Sequence, residues 1–116
     1  MHEVIIYTDQ HGKSPIESYL KELQASNSKA SKVQLNKIND YIQALQEYGT
    51  RLPENYLKHL DGDIWELRPR RDRILFAALI DGKYILLHQF MKKTQKTPKA
   101  EIEKAKRELE DYKKNI

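Results

Sequence analysis

Residues 73–92 read RILFAALIDGKYILLHQFMK and carry the clearest secondary-structure signal of the chain. It consists of two runs rich in β-branched, aromatic and aliphatic residues on either side of the dipeptide Asp81-Gly82. Asp-Gly between two such runs is typical of a two-residue type I′ hairpin turn, because both central residues of that turn need positive φ. The stretch therefore predicts two antiparallel strands, Arg73 to Ile80 and Lys83 to Met91.

The predicted turn also sets the pairing of the two strands. With Asp81 and Gly82 alone in the turn, Ile80 opposes Lys83, and the pairing continues along both strands. The further predicted pairs are Phe76 with Leu87, Leu75 with His88, Arg73 with Phe90 and Arg71 with Lys92. Alternation then gives one apolar core face, expected to carry Ile74, Phe76, Ala78, Ile80, Ile85, Leu87, Gln89 and Met91. The polar groups collect on the opposite face, at the end away from the turn.

A third strand, Ile64 to Arg68, is expected to precede this hairpin. If residues 69–72 form a four-residue connection, Arg68 opposes Arg73, while Trp65 and Leu67 join the core face. Glu66 then lies on the polar face. The residues predicted to converge there are Glu66, Arg68, Arg73, His88 and Lys92.

The rest of the chain predicts an N-terminal strand at residues 4–7 and three helices. Ser14-Pro15-Ile16-Glu17 combines a serine N-cap, proline at the first helical position and a capping-box glutamate. A second apolar stripe ends at Gly49, and the last helix is expected to begin with Thr97 as N-cap and Pro98 at the first position. The order predicts an α+β fold in one domain over residues 1–116: N-terminal strand, helical hairpin, antiparallel three-stranded meander and C-terminal helix.

The amino-acid composition limits the classes of protein to which this chain can belong. The chain has no cysteine, which excludes disulfides, thiolate zinc sites and a cysteine nucleophile. No signal-peptide pattern or transmembrane stretch is recognisable, so a cytoplasmic location is expected. Residues 64–99 carry nine basic and three acidic side chains, a net charge of +6, whereas the remaining 80 residues carry a net charge of −2. A basic centre on a mildly acidic body favours a polyanionic partner, although a well-solvated surface gives the same pattern.

The predicted polar cluster contains the groups that metal-free RNA cleavage requires. Glu66 could take the proton of a ribose 2′-hydroxyl, Arg68 and Arg73 could hold the phosphate, and His88 could protonate the leaving oxygen. Lys92 and Lys93 add positive charge, and Arg70, Arg71 and Lys96 are candidate RNA-binding residues. The four histidines lack metal-ligand spacing, and no Gly-rich phosphate loop is present, so neither metal nor cofactor is expected.

Each of these residues also has an ordinary interpretation. His88 could be a hydrogen-bonded structural histidine, and Glu66 could form a simple cross-strand ion pair with Arg68 or Arg73. The arginines of residues 68–73 could belong to a solvated turn. The lysines of residues 92–99 could protect a sheet edge against pairing.

The sequence also resembles a known family. The resemblance is carried by Ile64-Trp65-Glu66-Leu67-Arg68, by Arg73-Ile74-Leu75-Phe76, and by Leu87-His88-Gln89-Phe90-Met91, which runs on into Lys92-Lys93-Thr94-Gln95-Lys96-Thr97-Pro98. On these residues the chain is similar to the phage-derived HigB-like branch of the RelE/ParE toxin superfamily. The resemblance implies a RelE-like fold and a type II toxin that cuts messenger RNA on translating ribosomes. It also implies a cognate antitoxin, HigA-like with a helix-turn-helix domain, and it favours Arg73, Lys92 and Lys93 as site residues.

Two other functions stay open at this point. ParE-like members of the same superfamily poison DNA gyrase by protein binding, and a fold alone does not decide between activities. A non-catalytic RNA-binding module is the third possibility, since the same charge excess supports salt-dependent binding without cleavage.

Overall fold

A computed structural model describes all 116 residues as a five-stranded sheet with helices on both faces. The elements are β1 (Val4–Ile6), α1 (Pro15–Ala25), α2 (Lys29–Tyr48), a 3-10 turn (Gly49–Arg51), β2 (Leu57–Asp61), β3 (Ile64–Leu67), β4 (Asp72–Ala78), β5 (Tyr84–Met91) and α3 (Lys99–Lys114). The strand order is β1-β5-β4-β3-β2, with β1 parallel to β5 and the other pairs antiparallel. The predicted α+β class and RelE-like architecture are confirmed.

The predicted helix ends agree with the structure in two of three cases. The Ser14 side chain accepts a hydrogen bond from the Glu17 N–H at 3.2 Å, which caps α1. Gly49 ends α2 with a φ of 62°, a conformation that glycine adopts without strain. The prediction for α3 was wrong by one residue: Pro98 is the N-cap, because the Thr97 hydroxyl donates to Glu66 instead of capping the helix.

Both faces of the sheet are buried. α1 and α2 cover one face through a core that includes Ile16, Ile38, Leu45, Phe76 and Leu86, and α3 covers the other through a core that includes Ile64, Leu75, Leu87, Ala105 and Leu109. The sequence predicted only one core face. That prediction was wrong because the apolar stripe of α3 must also be removed from water, and the second sheet face is the surface that receives it.

The β4–β5 turn contains three residues rather than two. The Leu79 N–H donates to the Lys83 carbonyl at 2.8 Å, and the Gly82 N–H donates to the Leu79 carbonyl at 3.1 Å. In this geometry only Gly82, with a φ of 81°, needs the left-handed conformation, so Asp81 keeps an ordinary one. The predicted core position of Ile80 was therefore wrong, since this side chain lies fully exposed at the tip.

A β-bulge then cancels the one-residue offset that the longer turn introduces. Phe76 pairs with Leu86 rather than with Leu87, whereas Leu75 still pairs with His88, as predicted. The extra residue, Leu87, turns into the α3 core, and the faces predicted for residues 84–87 are reversed. Beyond the bulge the predicted pairing is correct, which places the polar end of the hairpin as expected.

The sequence did not predict β2, which adds an edge strand next to β3. Its five residues, LKHLD, show little alternation. The signal that could have found this strand is the second Asp-Gly dipeptide, Asp61-Gly62, which lies in the β2–β3 turn. None of the helices has the combination of length and apolar composition that a membrane crossing requires.

Candidate functional site

A small polar cleft opens at the end of the sheet opposite the β4–β5 turn. Glu66 of β3 and Arg73 of β4 lie in it, together with Phe90 of β5. The segment 92–98, which links β5 to α3, forms the other wall and is called here the lysine strap. The register explains the convergence. Glu66 pairs with Leu75 and Arg73 with Phe90, so alternation turns Glu66, Arg73 and Phe90 toward the face that α3 covers.

Glu66 is 2% exposed, and three groups surround its carboxylate. Oε2 lies 3.5 Å from Nε of Arg68 and 3.9 Å from Nε of Arg73, and Oε1 accepts a hydrogen bond from the Thr97 hydroxyl at 2.5 Å. Burying a carboxylate is costly unless charges and donors of this kind replace its water. The ion pairs of Glu66 with Arg68 and Arg73 are thus present, and Glu66 and Arg73 are buried, whereas the Arg68 side chain is 26% exposed.

Arg73 is held in one orientation by backbone carbonyl groups. Its Nη1 donates to the carbonyl oxygens of Arg70 at 2.7 Å and Asp72 at 2.8 Å, while Nε faces Glu66. Burial lowers the pKa of the Arg73 guanidinium, and the nearby Glu66 carboxylate opposes that effect. The carbonyl of Arg70 is available because this residue has a φ of 59°, the one positive value outside glycine. The guanidinium is thereby preorganised beside the carboxylate.

The lysines of the strap supply free positive charge. Lys92, Lys93 and Lys96 are exposed, line the cleft, and form no ion pair with any carboxylate of the chain. The structure therefore brings together five of the predicted residues, namely Glu66, Arg73, Lys92, Lys93 and Lys96, and Arg68 joins them through Glu66. The strap also adds Thr97, whose contact with Glu66 the sequence did not reveal.

His88 does not join the cleft. Its cross-strand partner Leu75 separates it from Glu66, and its side chain is 1% exposed. Nδ1 lies 2.5 Å from a Glu108 carboxylate oxygen and Nε2 lies 3.0 Å from one of Glu101, both in α3. Because both ring nitrogens are bound to α3, His88 links the sheet to this helix. The seven-residue spacing of the two glutamates on one helix face is a signal that could have suggested this role.

Arg70 and Arg71 lie on the opposite side of the sheet end. They border a groove between the α1–α2 hairpin and the β3–β4 turn, which Tyr19, Leu23, Ala30 and Met91 also line. The two predicted RNA-binding arginines are therefore separate from the cleft that contains Glu66 and Arg73.

Asp72, which is not among the predicted site residues, organises the sheet end from within. It has no exposed surface, and its carboxylate accepts hydrogen bonds from Tyr19 at 2.8 Å, Gln34 at 2.5 Å and Gln89 at 3.1 Å. These donors belong to α1, α2 and β5, so one carboxylate fixes the helical hairpin to the start of β4. No pattern in the sequence brings these distant residues together.

The fold defines a small α+β protein with a RelE-like architecture. Comparison with known protein families identifies the family to which the chain belongs. Residues 18–110 match the model described as Phage derived protein Gp49-like (DUF891), and the chain belongs to this family. No curated protein matches the chain.

Proposed function

We propose that this protein is the toxin of a type II toxin-antitoxin system, of the HigB-like branch, and that it is a metal-independent endoribonuclease. Its substrate is messenger RNA, cut on translating ribosomes, so that translation stops. The observation that carries the proposal is the Glu66 carboxylate, 3.5 and 3.9 Å from two guanidinium nitrogens, beside strap lysines that have no acidic partner. A carboxylate with surrounding free cations suits a phosphate diester that carries a 2′-hydroxyl.

The contact between Thr97 and Glu66 supports the choice of base. The Thr97 hydroxyl donates to Oε1 of Glu66 as an alcohol of the substrate would. In the proposed reaction a ribose 2′-hydroxyl replaces Thr97 and gives its proton to Glu66. The 2′-oxygen then bonds to phosphorus, and the bond from phosphorus to the 5′-oxygen breaks, which leaves a 2′,3′-cyclic phosphate and a 5′-hydroxyl.

The other charged groups act on the phosphate and on the leaving oxygen. The preorganised Arg73 and its neighbour Arg68 stabilise the charge of the pentavalent phosphorane. Because both nitrogens of His88 are bound to α3, the proton for the 5′-oxygen is assigned to an ammonium group of Lys92 or Lys93 rather than to His88. Proton transfer from the lysine to the oxygen balances the proton that Glu66 removes.

The resemblance to HigB-like toxins extends the proposal to the partners. A cognate antitoxin, HigA-like with a helix-turn-helix domain, is expected to block the cleft, and the ribosome is expected to present the message. The location in the cytoplasm follows from the same proposal.

The proposal is tested by controlled expression in a bacterium with mapping of the 5′ ends of messages within minutes. Wild type is compared with Lys92→Ala/Lys93→Ala and with the control Lys113→Ala/Lys114→Ala, which removes two consecutive exposed lysines elsewhere. New ends within translated regions are expected for wild type and the control but not for the strap variant. Growth arrest with intact messages and DNA damage would instead identify a gyrase poison. Purified protein that binds RNA without cutting it, on or off the ribosome, would identify a pure binding module.

A further inference from the structure

The groove bordered by Arg70 and Arg71 lies outside the cleavage site described above. It has a volume of about 380 Å³, within the range of small-ligand pockets, and half of its lining residues are apolar. Met91, on its border, is 50% exposed. The groove thus combines an apolar surface with two cations.

Neither cation has a partner within the chain. Arg70 and Arg71 are both exposed, and neither takes part in an ion pair. Arg70 also occupies a left-handed conformation, with a φ of 59°, in which an L residue is strained and glycine is not. A guanidinium is thus held at the edge of the groove at a position where glycine would give a less strained turn.

The groove and the cleft meet at the end of the sheet. Met91 borders the groove and Lys92, the next residue, borders the cleft. Lys92 is also adjacent to Arg71, which borders the groove, because the Lys92 N–H donates to the Arg71 carbonyl at 2.8 Å. A flexible anionic strand leaving the cleft can therefore turn around the sheet end, pass the two arginines and reach the apolar surface.

We propose that this groove is a subsite for one nucleotide of single-stranded RNA next to the cleaved phosphate. The proposal rests on the nuclease function proposed above and adds a second contact for the same substrate. Arg70 and Arg71 bind the phosphate, and the base lies against Tyr19, Leu23 and Met91. Stacking on aromatic, apolar and guanidinium surfaces is the usual way in which proteins hold unpaired bases.

Two polar side chains of the groove wall are already engaged in hydrogen bonds within the protein. The Tyr19 hydroxyl and the Gln34 amide N–H groups already donate to Asp72 and to the Pro69 carbonyl. These groups are therefore not free to donate to the edge of a base. Contact area with the apolar and aromatic side chains supplies the affinity of the subsite.

The test uses an RNA oligonucleotide with 2′-O-methyl groups, which cannot be cleaved through its 2′-oxygen, and a single 4-thiouridine moved along it. We expect one position beside the strap contact to crosslink to Tyr19 or Met91 on irradiation. Arg70→Gly/Arg71→Ala keeps the left-handed turn, and it should remove this crosslink and weaken binding about 10-fold. Crosslinks to the lysine strap should persist. Arg107→Ala, an exposed arginine of α3 without an ion pair, is the matched control and should bind as wild type does.

Crosslinks confined to the lysine strap, with unchanged affinity of the arginine variant, would overturn the subsite. So would a variant that binds RNA normally but loses binding to an acidic partner protein. Cleavage of the matching all-ribose strand by wild type is measured separately. Cleavage without groove crosslinks removes the subsite and leaves the nuclease, whereas groove crosslinks without cleavage, with ribosomes present or absent, leave the RNA subsite and remove the nuclease.

Discussion

Glu66→Gln separates the chemistry of the cleft from its packing. The amide keeps the size of the side chain and can still accept the Thr97 hydrogen bond, but it cannot take a proton from a 2′-hydroxyl. Loss of a general base slows a reaction about 10²- to 10⁴-fold, which corresponds to about 3–5 kcal/mol of activation free energy. We therefore expect the single-turnover cleavage rate to fall by that factor.

The same substitution should have a smaller effect on stability. The Glu66 carboxylate lies 3.5 and 3.9 Å from its two guanidinium partners, which is long for a hydrogen bond, and Arg73 keeps two carbonyl acceptors. We expect the free energy of unfolding to fall by about 1–2 kcal/mol, at the low end for a bond to a charged group. The melting temperature then falls by roughly 4–8 °C.

The assay follows cleavage of an unstructured RNA or a programmed ribosome at a temperature where the variant is folded, as shown by circular dichroism. Glu110→Gln, an exposed carboxylate of α3, is the matched control and should retain full activity. A folded Glu66→Gln protein that cleaves within threefold of wild type would refute the role of Glu66 as base. The catalytic contribution would then rest on Arg73 and the strap lysines.

Three further predictions concern the stability of the fold, and each is measured by denaturant unfolding. His88→Ala leaves the buried Glu108 carboxylate without its partner and should cost about 3–5 kcal/mol, whereas Glu101→Ala should cost less because the Glu101 side chain is 28% exposed; equal losses would contradict this ranking. Burial, followed by the hydrogen bond to a carboxylate, raises the pKa of Tyr7 above its ordinary value near 10, so unfolded Tyr7 ionises first. Stability should therefore fall by up to about 1.4 kcal/mol per pH unit above pH 10, and Tyr7→Phe should lessen that slope. Gly49→Ala should cost more than Gly82→Ala, since a Cβ at residue 49 meets a side-chain oxygen at 2.7 Å and one at residue 82 meets nothing within 4 Å; similar costs would show that the close contact relaxes.

Arg73→Ala should lower stability as well as activity. An arginine on a solvated polar face, where the sequence places Arg73, could be removed with the fold intact. The structure shows Arg73 to be 7% exposed and bound to two carbonyl groups and Glu66. Its removal leaves the carboxylate of Glu66 buried beside a cavity, so loss of activity in this variant must be compared with loss of stability.

Features that depend on neighbouring residues could be predicted from the sequence alone. The N-cap at Ser14, the glycine end of α2 and the strand character of β3, β4 and β5 follow from local hydrogen bonding and alternation. Alternation also placed Glu66 and Arg73 on one face at one end of the sheet. That prediction held at this end because the bulge restored the pairing that the longer turn had shifted.

The contacts between distant elements could not be predicted from the sequence, because they depend on how the helices pack on the sheet. Packing of α3 on the second sheet face turned Leu87 inward and bound His88 to helix carboxylates. The left-handed conformation of Arg70 directed its carbonyl to Arg73 and placed its side chain beside a separate groove. These features arise from competition between burial of apolar surface and satisfaction of buried polar groups, and local sequence patterns do not encode the outcome of that competition.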